Sequence, residues 1–308
     1  MNTRRIGTLE VSVVGVGCNS FGKRIDARDA LSVVDAALDA SINFFDTADV
    51  YARGQSEHLL GRALGNRRRG VVIATKFGKE FDPRHRGARP GYVRRACEHS
   101  LRRLGTDYID LFQLHEPDPT VPIAETLGAL QELVTVGKVR QIGCCNVTPP
   151  LLRDARAAAR PALAHFASVQ NEYNLLYRHA EEAVLPECER QGIAFIPYYP
   201  LARGLLTGKY RRGRPAPQGS HLTGGAAARE LLTDQNLAIV EDLIRFAESR
   251  GRTILELSIS WLLTMRSVAS VIAGATTAEQ VQQNAASASW RLTTAELDEI
   301  DRIVLQTH

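Results

Sequence analysis

The sequence lacks any uninterrupted apolar run long enough to cross a bilayer, so no membrane partner is expected. It has little net charge: 38 Lys and Arg against 34 Asp and Glu leave +4. No basic segment is interleaved with aromatic residues into a stacking platform, which argues against a nucleic-acid partner. The five cysteines, Cys18, Cys97, Cys144, Cys145 and Cys188, are odd in number and contain no C-x-x-C. A disulfide framework is therefore not expected, and a reducing cytoplasm is. No targeting segment is expected. Arg4-Arg5 runs into Ile6-Gly7-Thr8-Leu9-Glu10, a turn and a charge where a long apolar stretch would be needed. Nor is there a usable dinucleotide fingerprint, because Gly15-Val16-Gly17-Cys18-Asn19-Ser20 lacks the third glycine.

What is present is an ordinary globular composition, 44% hydrophobic and 23% charged over 308 residues. Short apolar strands alternate with amphipathic helices. Strand patterns fall at 13–17, 42–46, 71–75, 108–114, 139–144, 167–170, 193–198 and 270–273. Helical patterns fall between them, and at 28–40 Leu31, Val34 and Leu38 form a stripe with Val33 and Ala37 beside it. Alternating βα units argue for a parallel sheet, and eight of them in this length fit a closed (β/α)8 TIM barrel. The whole of 1–308 reads as one domain. Residues 3–11, with a turn at Gly7-Thr8, read as a hairpin closing the bottom. Two long stretches after the third and seventh strands, 79–90 and 202–233, are rich in Gly, Pro and Arg and read as walls or lids of the mouth.

Polar residues sit at successive strand ends: Asp46, Lys76, His115, Asn146, Gln170 and Tyr198. In a barrel these ends converge on one mouth. Tyr51, five residues past Asp46, can fold back over it. A phenol is a poor acid at neutral pH, with a pKa of about 10. A neighbouring ammonium favours the phenolate and is expected to lower that value, and Lys76 is placed to do so. Asp46 can hold Lys76 charged, and His115 offers an N–H to a substrate oxygen. The set makes a poor metal site, since lysine is a poor ligand and one histidine is present, so no metal is expected and a zinc hydrolase is a weak alternative. Thr277-x-x-Gln280 and Thr293-x-x-Glu296 fit capping boxes. Cys144-Cys145 reads as two small residues at a strand end rather than a redox switch. Arg67-Arg68-Arg69 reads as a solvated face, and Trp261, Leu262 and Leu263 as core.

Phe45-Asp46-Thr47-Ala48 through Tyr51, followed by Ser56-Glu57, resembles the first signature of the aldo-keto reductases. Ala74-Thr75-Lys76-Phe77-Gly78 resembles their lysine strand, and Asp110-Leu111-Phe112-Gln113-Leu114-His115 their histidine strand. The resemblance runs on through Gln170-Asn171-Glu172-Tyr173-Asn174, Tyr198-Tyr199-Pro200-Leu201 and residues 274–284. In detail it is similar to bacterial members and to potassium-channel β-subunits. It implies a (β/α)8 barrel and nicotinamide-dependent reduction of aldehydes and ketones, or the reverse. It implies Tyr51 as proton donor, Lys76 and Asp46 as its tuning pair, and His115 as orienter of the carbonyl. Asn146 and Gln170 would hold the carboxamide and Tyr198 would stack on the nicotinamide. Leu201, Arg203, Gly204 and Lys209 would line the pyrophosphate, and Thr276, Gln280, Gln283 and Asn284 the adenosine. Gly17, Cys18, Asn19, Cys145, Tyr199, Pro200, Gly274 and Thr277 complete the implied contacts. The chain departs from the family at Cys145 and Tyr199, where Ser is common, at Cys18, a frequent Thr, and at His221, often Arg.

The expected activity is carbonyl reduction with NADP(H) preferred over NAD(H). The alternatives are an NAD-dependent sugar or alcohol dehydrogenase using the same residues, and a regulatory protein that senses its bound cofactor. Residues 274–280 contain no Arg or Lys, which favours NAD. The helix terminus near Thr277 and the loop cations Lys209, Arg211, Arg212 and Arg214 favour the 2′-phosphate. The substrate is a small carbonyl compound or sugar, and its pocket is assigned to residues 18–24, 79–90 and the chain end. Its identity and the oligomeric state are left open by the sequence.

Overall fold

The computed structural model describes residues 1–80, 82, 85–159 and 164–305. β1 (Thr3–Ile6) and β2 (Leu9–Ser12) form the expected antiparallel hairpin. β3 (Val14–Gly17), β4 (Phe44–Asp46), β5 (Val72–Phe77), β6 (Ile109–Leu114), β7 (Val139–Cys145), β8 (Ser168–Gln170), β9 (Ala194–Phe195) and β10 (Val271–Gly274) form a parallel sheet in the order β10-β3-β4-β5-β6-β7-β8-β9. The sheet closes on itself. Phe195 donates to Ser267 O at 2.6 Å and accepts from Ala269 N–H at 2.9 Å, just before β10. The fold is thus the (β/α)8 barrel the alternation predicts. Runs such as Val72–Phe77 are buried on both sides, which is why they read as continuous apolar stretches.

The outer layer comprises α1 (Ala27–Asp39), α2 (Gln55–Leu64), α3 (Pro90–Leu104), α4 (Ile123–Thr135), α5 (Pro149–Ala158), α6 (Val184–Gln191), α7 (Gly225–Leu231), α8 (Asp234–Glu248), α9 (Ile254–Leu262), α10 (Ala278–Ala286) and α11 (Thr294–Leu305). Four details differ from the sequence pattern. Arg68, expected on a solvated face, is buried and pairs with Asp110 at 2.8 Å. The buried stripe of α1 is Ala30, Val33, Val34 and Ala37, whereas Leu31 is 43% exposed. The seventh strand is short because Pro197 has no N–H to continue the ladder, although Ile196 and Tyr198 still donate to Val169 O and Asn171 O at 2.8 and 3.1 Å. The stretch 202–233 contains a 3-10 turn, Ala202–Thr207, and α7. α7 buries none of its residues fully; Ala227, Ala228 and Leu231 half-bury against the core, a stripe too short for a pattern to reveal.

The hairpin closes the barrel floor. Ile6, Leu9 and Val11 pack into the interior with Phe44, Val72, Ala74, Leu111, Ile196 and Ile272. Arg4 fastens it from outside, donating to the carbonyls of Leu263, Met265 and Val268 at 2.6, 3.0 and 2.5 Å. Those carbonyls follow the end of α9, where a cation is favoured. Ile6→Ala should therefore lower stability by about 2–4 kcal/mol, the cost of a cavity in a packed core. Turnover per folded molecule should not change; urea unfolding and active-site titration check both. Above the apolar floor the interior turns polar. Gly143 of β7 allows this, since a Cβ there would lie 2.2 Å from Ser168 Oγ and 3.1 Å from Gln113 Cγ.

Candidate active site

The polar layer is built around one buried ion pair. Asp46 ends β4 and Lys76 is the penultimate residue of β5, the neighbouring strand. Lys76 Nζ donates to Asp46 Oδ1 at 2.5 Å and to Thr47 O at 2.8 Å, and it lies 3.4 Å from Tyr51 Oη. The other carboxylate oxygen accepts from Gln170 Nε2 at 2.8 Å and, more weakly, from Gln113 Nε2 at 3.4 Å. A buried ion pair survives when both partners keep such further hydrogen bonds. Burial works against the Lys76 ammonium, but the Asp46 carboxylate outweighs it and raises its pKa above the ordinary value.

Tyr51 opens a 3-10 turn, Tyr51–Gly54, in which Ala52, Arg53 and Gly54 adopt positive φ of 48°, 54° and 86°. This tight turn brings the phenol back over the mouth. Lys76 pulls the phenol's pKa down, as its placement predicts, but burial outweighs it and pushes the value up to about 12. The Tyr51 hydroxyl consequently keeps its proton throughout the neutral range. His115 follows β6 and stands edge-on to Tyr51, ring centroids 5.9 Å apart. Burial, then the Lys76 and Lys79 charges, hold it down to about 2, so it is a neutral imidazole. Its Nδ1 is buried without a hydrogen-bond partner.

The remaining expected residues line the rim from β7 round to β3. Asn146 has φ of 56° and is already engaged: Nδ2 donates to His115 O at 3.0 Å and Oδ1 accepts from Tyr198 OH at 2.9 Å. Gln170 is tied to Asp46 rather than standing free for a carboxamide. Cys145 and Cys18 are buried beside the ion pair, and burial raises both thiols well above their ordinary range. Gly17 sits between Asp46 and Gly274 in the sheet, with partly buried Asn19 two residues on. Tyr199, at φ of 50°, meets Tyr198 edge-on at 5.2 Å and carries the Arg203 guanidinium 4.5 Å above its ring. Pro200 is buried, and Leu201 O accepts from Gly204 N–H at 2.7 Å. A Cβ on Gly204 would lie 3.1 Å from Lys209 Nζ, so the glycine lets that ammonium approach.

At the far end Thr277 caps α10, accepting from Gln280 N–H. The capping box is only half made there, because Gln280 Oε1 accepts instead from Thr276 N–H at 2.8 Å and its hydroxyl at 3.2 Å. At Thr293 the box is complete. Asn284 is buried and Gln283 exposed. Glu279 is exposed in the first turn of α10, its carboxyl lowered by its own backbone N–H. Among the loop cations, Arg212 is engaged at the start of α8, donating to Asp234 O at 2.9 Å. The long loop is instead fastened across the top by Arg24, which donates to Gly219 O at 2.7 Å and meets His221 Nδ1 at 3.1 Å.

Sequence reasoning gave no role to Gln113, Thr47 O or Asp49. The available signal for Gln113 was a polar residue inside the apolar run Ile109–Leu114. A cleft of about 1210 Å³ opens between residues 85–99 and residues 116–120, and none of Asp46, Tyr51, Lys76 and His115 lines it. No cluster that could hold a metal ion and no helix long and apolar enough to cross a membrane occurs among the described residues.

Residues 13–305 match the family model of the aldo/keto reductase family. A Glycine max protein named probable aldo-keto reductase 1 is 35% identical over 306 residues, covering 96% of this chain and 87% of that one. A probable voltage-gated potassium channel subunit beta of Arabidopsis thaliana is 34% identical over 312 residues, covering 96% and 94%. The solved structure of a glycerol dehydrogenase from Gluconobacter oxydans superposes with a TM-score of 0.87 at 31% identity, covering 99% of this chain and 95% of that one. The barrel, the buried lysine pair beside a folded-back tyrosine and these likenesses together show that the chain belongs to the aldo/keto reductase family of oxidoreductases.

Proposed function

We propose that the protein reduces an aldehyde or ketone to the alcohol, with NADPH preferred and Tyr51 as proton donor. The observation that carries this reading is the Lys76 ammonium held between Asp46 Oδ1 at 2.5 Å and Tyr51 Oη at 3.4 Å. The mouth fits a nicotinamide dinucleotide. Its rim offers the Tyr198 ring, Arg203 and Lys209, and the N-terminus of α10, whose dipole favours an anion although Thr277 already caps the Gln280 N–H. When bound, the nicotinamide supplies hydride to the carbonyl carbon. His115, kept neutral, donates an N–H to the carbonyl oxygen and orients it. Tyr51 gives its proton to that oxygen as charge develops. Lys76 stabilises the phenolate left behind, and Asp46 keeps Lys76 charged and aimed. A protonated His115 is absent near neutrality, which leaves the proton transfer to Tyr51. A panel of carbonyls, alcohols and sugars with both cofactors in both directions tests the assignment; no turnover in either direction would reject it.

Cofactor choice follows from charge at the adenosine end. Residues 274–280 hold no cation and Glu279 is exposed there, which favours the NAD-dependent dehydrogenase reading. That reading also suits the glycerol dehydrogenase neighbour. Against it stand the α10 N-terminus and, nearer the pyrophosphate path, the basic group of Arg24, Lys23, Arg203 and Lys209 around His221. Their charges, after burial, lower the pKa of His221. Because Glu279 is bound by its own helix terminus, its charge is already partly answered. The expected result is a modest NADPH preference in kcat/KM that shrinks as salt rises, since exposed charges are screened. Equal values, or a preference for NADH, would promote the dehydrogenase. Tight cofactor retention with negligible turnover would promote the sensor reading that the channel-subunit likeness suggests.

A further inference from the structure

Two carboxyl groups beyond the Asp46–Lys76 pair share one cation, Arg103. Glu57 of α2 is fully buried; its Oε1 accepts from Thr75 Oγ1 at 2.6 Å and its Oε2 from Arg103 Nε at 2.6 Å. Asp49 is 3% exposed, and its Oδ2 accepts from the Tyr92 hydroxyl at 3.3 Å. Its Oδ1 is buried with no partner, a costly arrangement for a carboxylate and a tolerable one for a neutral acid. The charged and titratable groups facing Asp49 are Glu57 from α2 and Tyr92 and Arg103 from α3; from β5 it meets the Lys76 main chain. With one guanidinium and two acids, the buried charge balances when one acid is protonated. Glu57 holds the guanidinium directly, so the proton falls to Asp49.

This cluster brackets Tyr51. Asp49 precedes it by two residues, and the Asp49 N–H donates to Lys76 O at 3.2 Å. Behind Tyr51 the three left-handed residues end at Gly54, where a Cβ would lie 2.5 Å from Arg103 Cδ. The guanidinium that pairs with Glu57 therefore packs on the turn that aims the phenol. We propose that Asp49 is a positioning residue for Tyr51, which it holds through a buried clamp with Glu57, Arg103 and Tyr92 that is charge-balanced when Asp49 carries a proton. This rests on Tyr51 being the acid of the reductase reading. Burial first, then the Glu57 charge, push the Asp49 carboxyl up to about 7, while Arg103, the Val50 N–H and the Tyr92 hydroxyl oppose the rise. The sign follows from linkage. The stability conferred by the protonated form is full below the ordinary carboxylate range and lost as pH rises through about 7.

The test compares wild type, Asp49→Asn, Tyr92→Phe and Tyr51→Phe between pH 5.5 and 9, reading kcat, KM for the cofactor and Tm. Wild-type kcat should fall about tenfold per pH unit above neutrality, the slope of one ionisation, with cofactor KM unmoved. Asp49→Asn, neutral at every pH, should lack that limb and should not lose Tm between pH 5.5 and 8.5 as wild type does. Tyr92→Phe removes a donor to the ionised form and should move the limb upward. Superimposable wild-type and Asp49→Asn profiles in kcat and Tm would overturn the clamp; if Tyr51→Phe is nevertheless inactive, the reductase reading stands. An active Tyr51→Phe would overturn the reductase reading, and the role of Asp49 with it. If Asp49→Asn does not fold, an unmoved limb in Tyr92→Phe overturns the clamp.

Discussion

Tyr51→Phe should lower carbonyl-reducing turnover on the order of 10²-fold or more, the range that a positioned general acid contributes. The substitution deletes one hydroxyl and keeps the ring, so packing of the turn and the edge contact with His115 survive. Two features of the structure make the loss large. The phenol is pushed up to about 12, so in the native enzyme it is fully protonated at working pH. The other candidate acid, His115, is held down to about 2 and carries no spare proton there. Removing Tyr51 therefore leaves water as the proton source. Affinity for the nicotinamide cofactor, measured by fluorescence titration, should change little. Near wild-type turnover would refute the assignment.

Lys76→Met should be as damaging, and for two separable reasons. Chemically, it removes the cation that opposes the rise of the Tyr51 pKa, so the phenol becomes a weaker acid and any Tyr51 limb in the pH–rate profile moves upward. The expected loss in kcat is again on the order of 10²-fold. Structurally, it leaves Asp46, 2% exposed, without its 2.5 Å partner. Breaking a buried pair on one side costs about 3–5 kcal/mol. Double replacement with Asp46→Asn should recover much of that stability, because no uncompensated charge then remains, but none of the turnover. Thermal unfolding and steady-state kinetics on the single and double variants separate the two effects. An unchanged pH profile with unchanged turnover would make Lys76 structural only.

The electrostatic sign at Tyr51 shows where pattern reading stops. Sequence spacing places a lysine near a phenol, and a cation near a phenol lowers its pKa. The value in the folded protein is set by competition between that cation and the loss of water around the hydroxyl, and burial wins. The same limit applies to Gln170. Its place at a strand end was legible, but its bond to Asp46 depends on how β4 and β8 face each other across the barrel. Asp49 was visible in the motif and carried no distinguishing mark. Its environment is made by Glu57 and Arg103 from two different helices.

The sequence by itself determined the alternation of strands and helices, the hairpin beneath them, and the identity of the side chains delivered to the mouth. These follow from local periodicity and from chain order in a parallel sheet, in which every strand ends at the same face. It also determined the family, because several strand-end motifs occur together in one order. Tertiary structure alone decided which of those side chains are already bonded to one another, which are stripped of water, and which charges stand unbalanced. Residues 24 and 221, 46 and 170, and 57 and 103 meet only because the barrel closes and the helices pack on it. Hydrogen bonds and pKa shifts depend on distances of a few ångströms between segments far apart in the chain, and no local pattern encodes those distances.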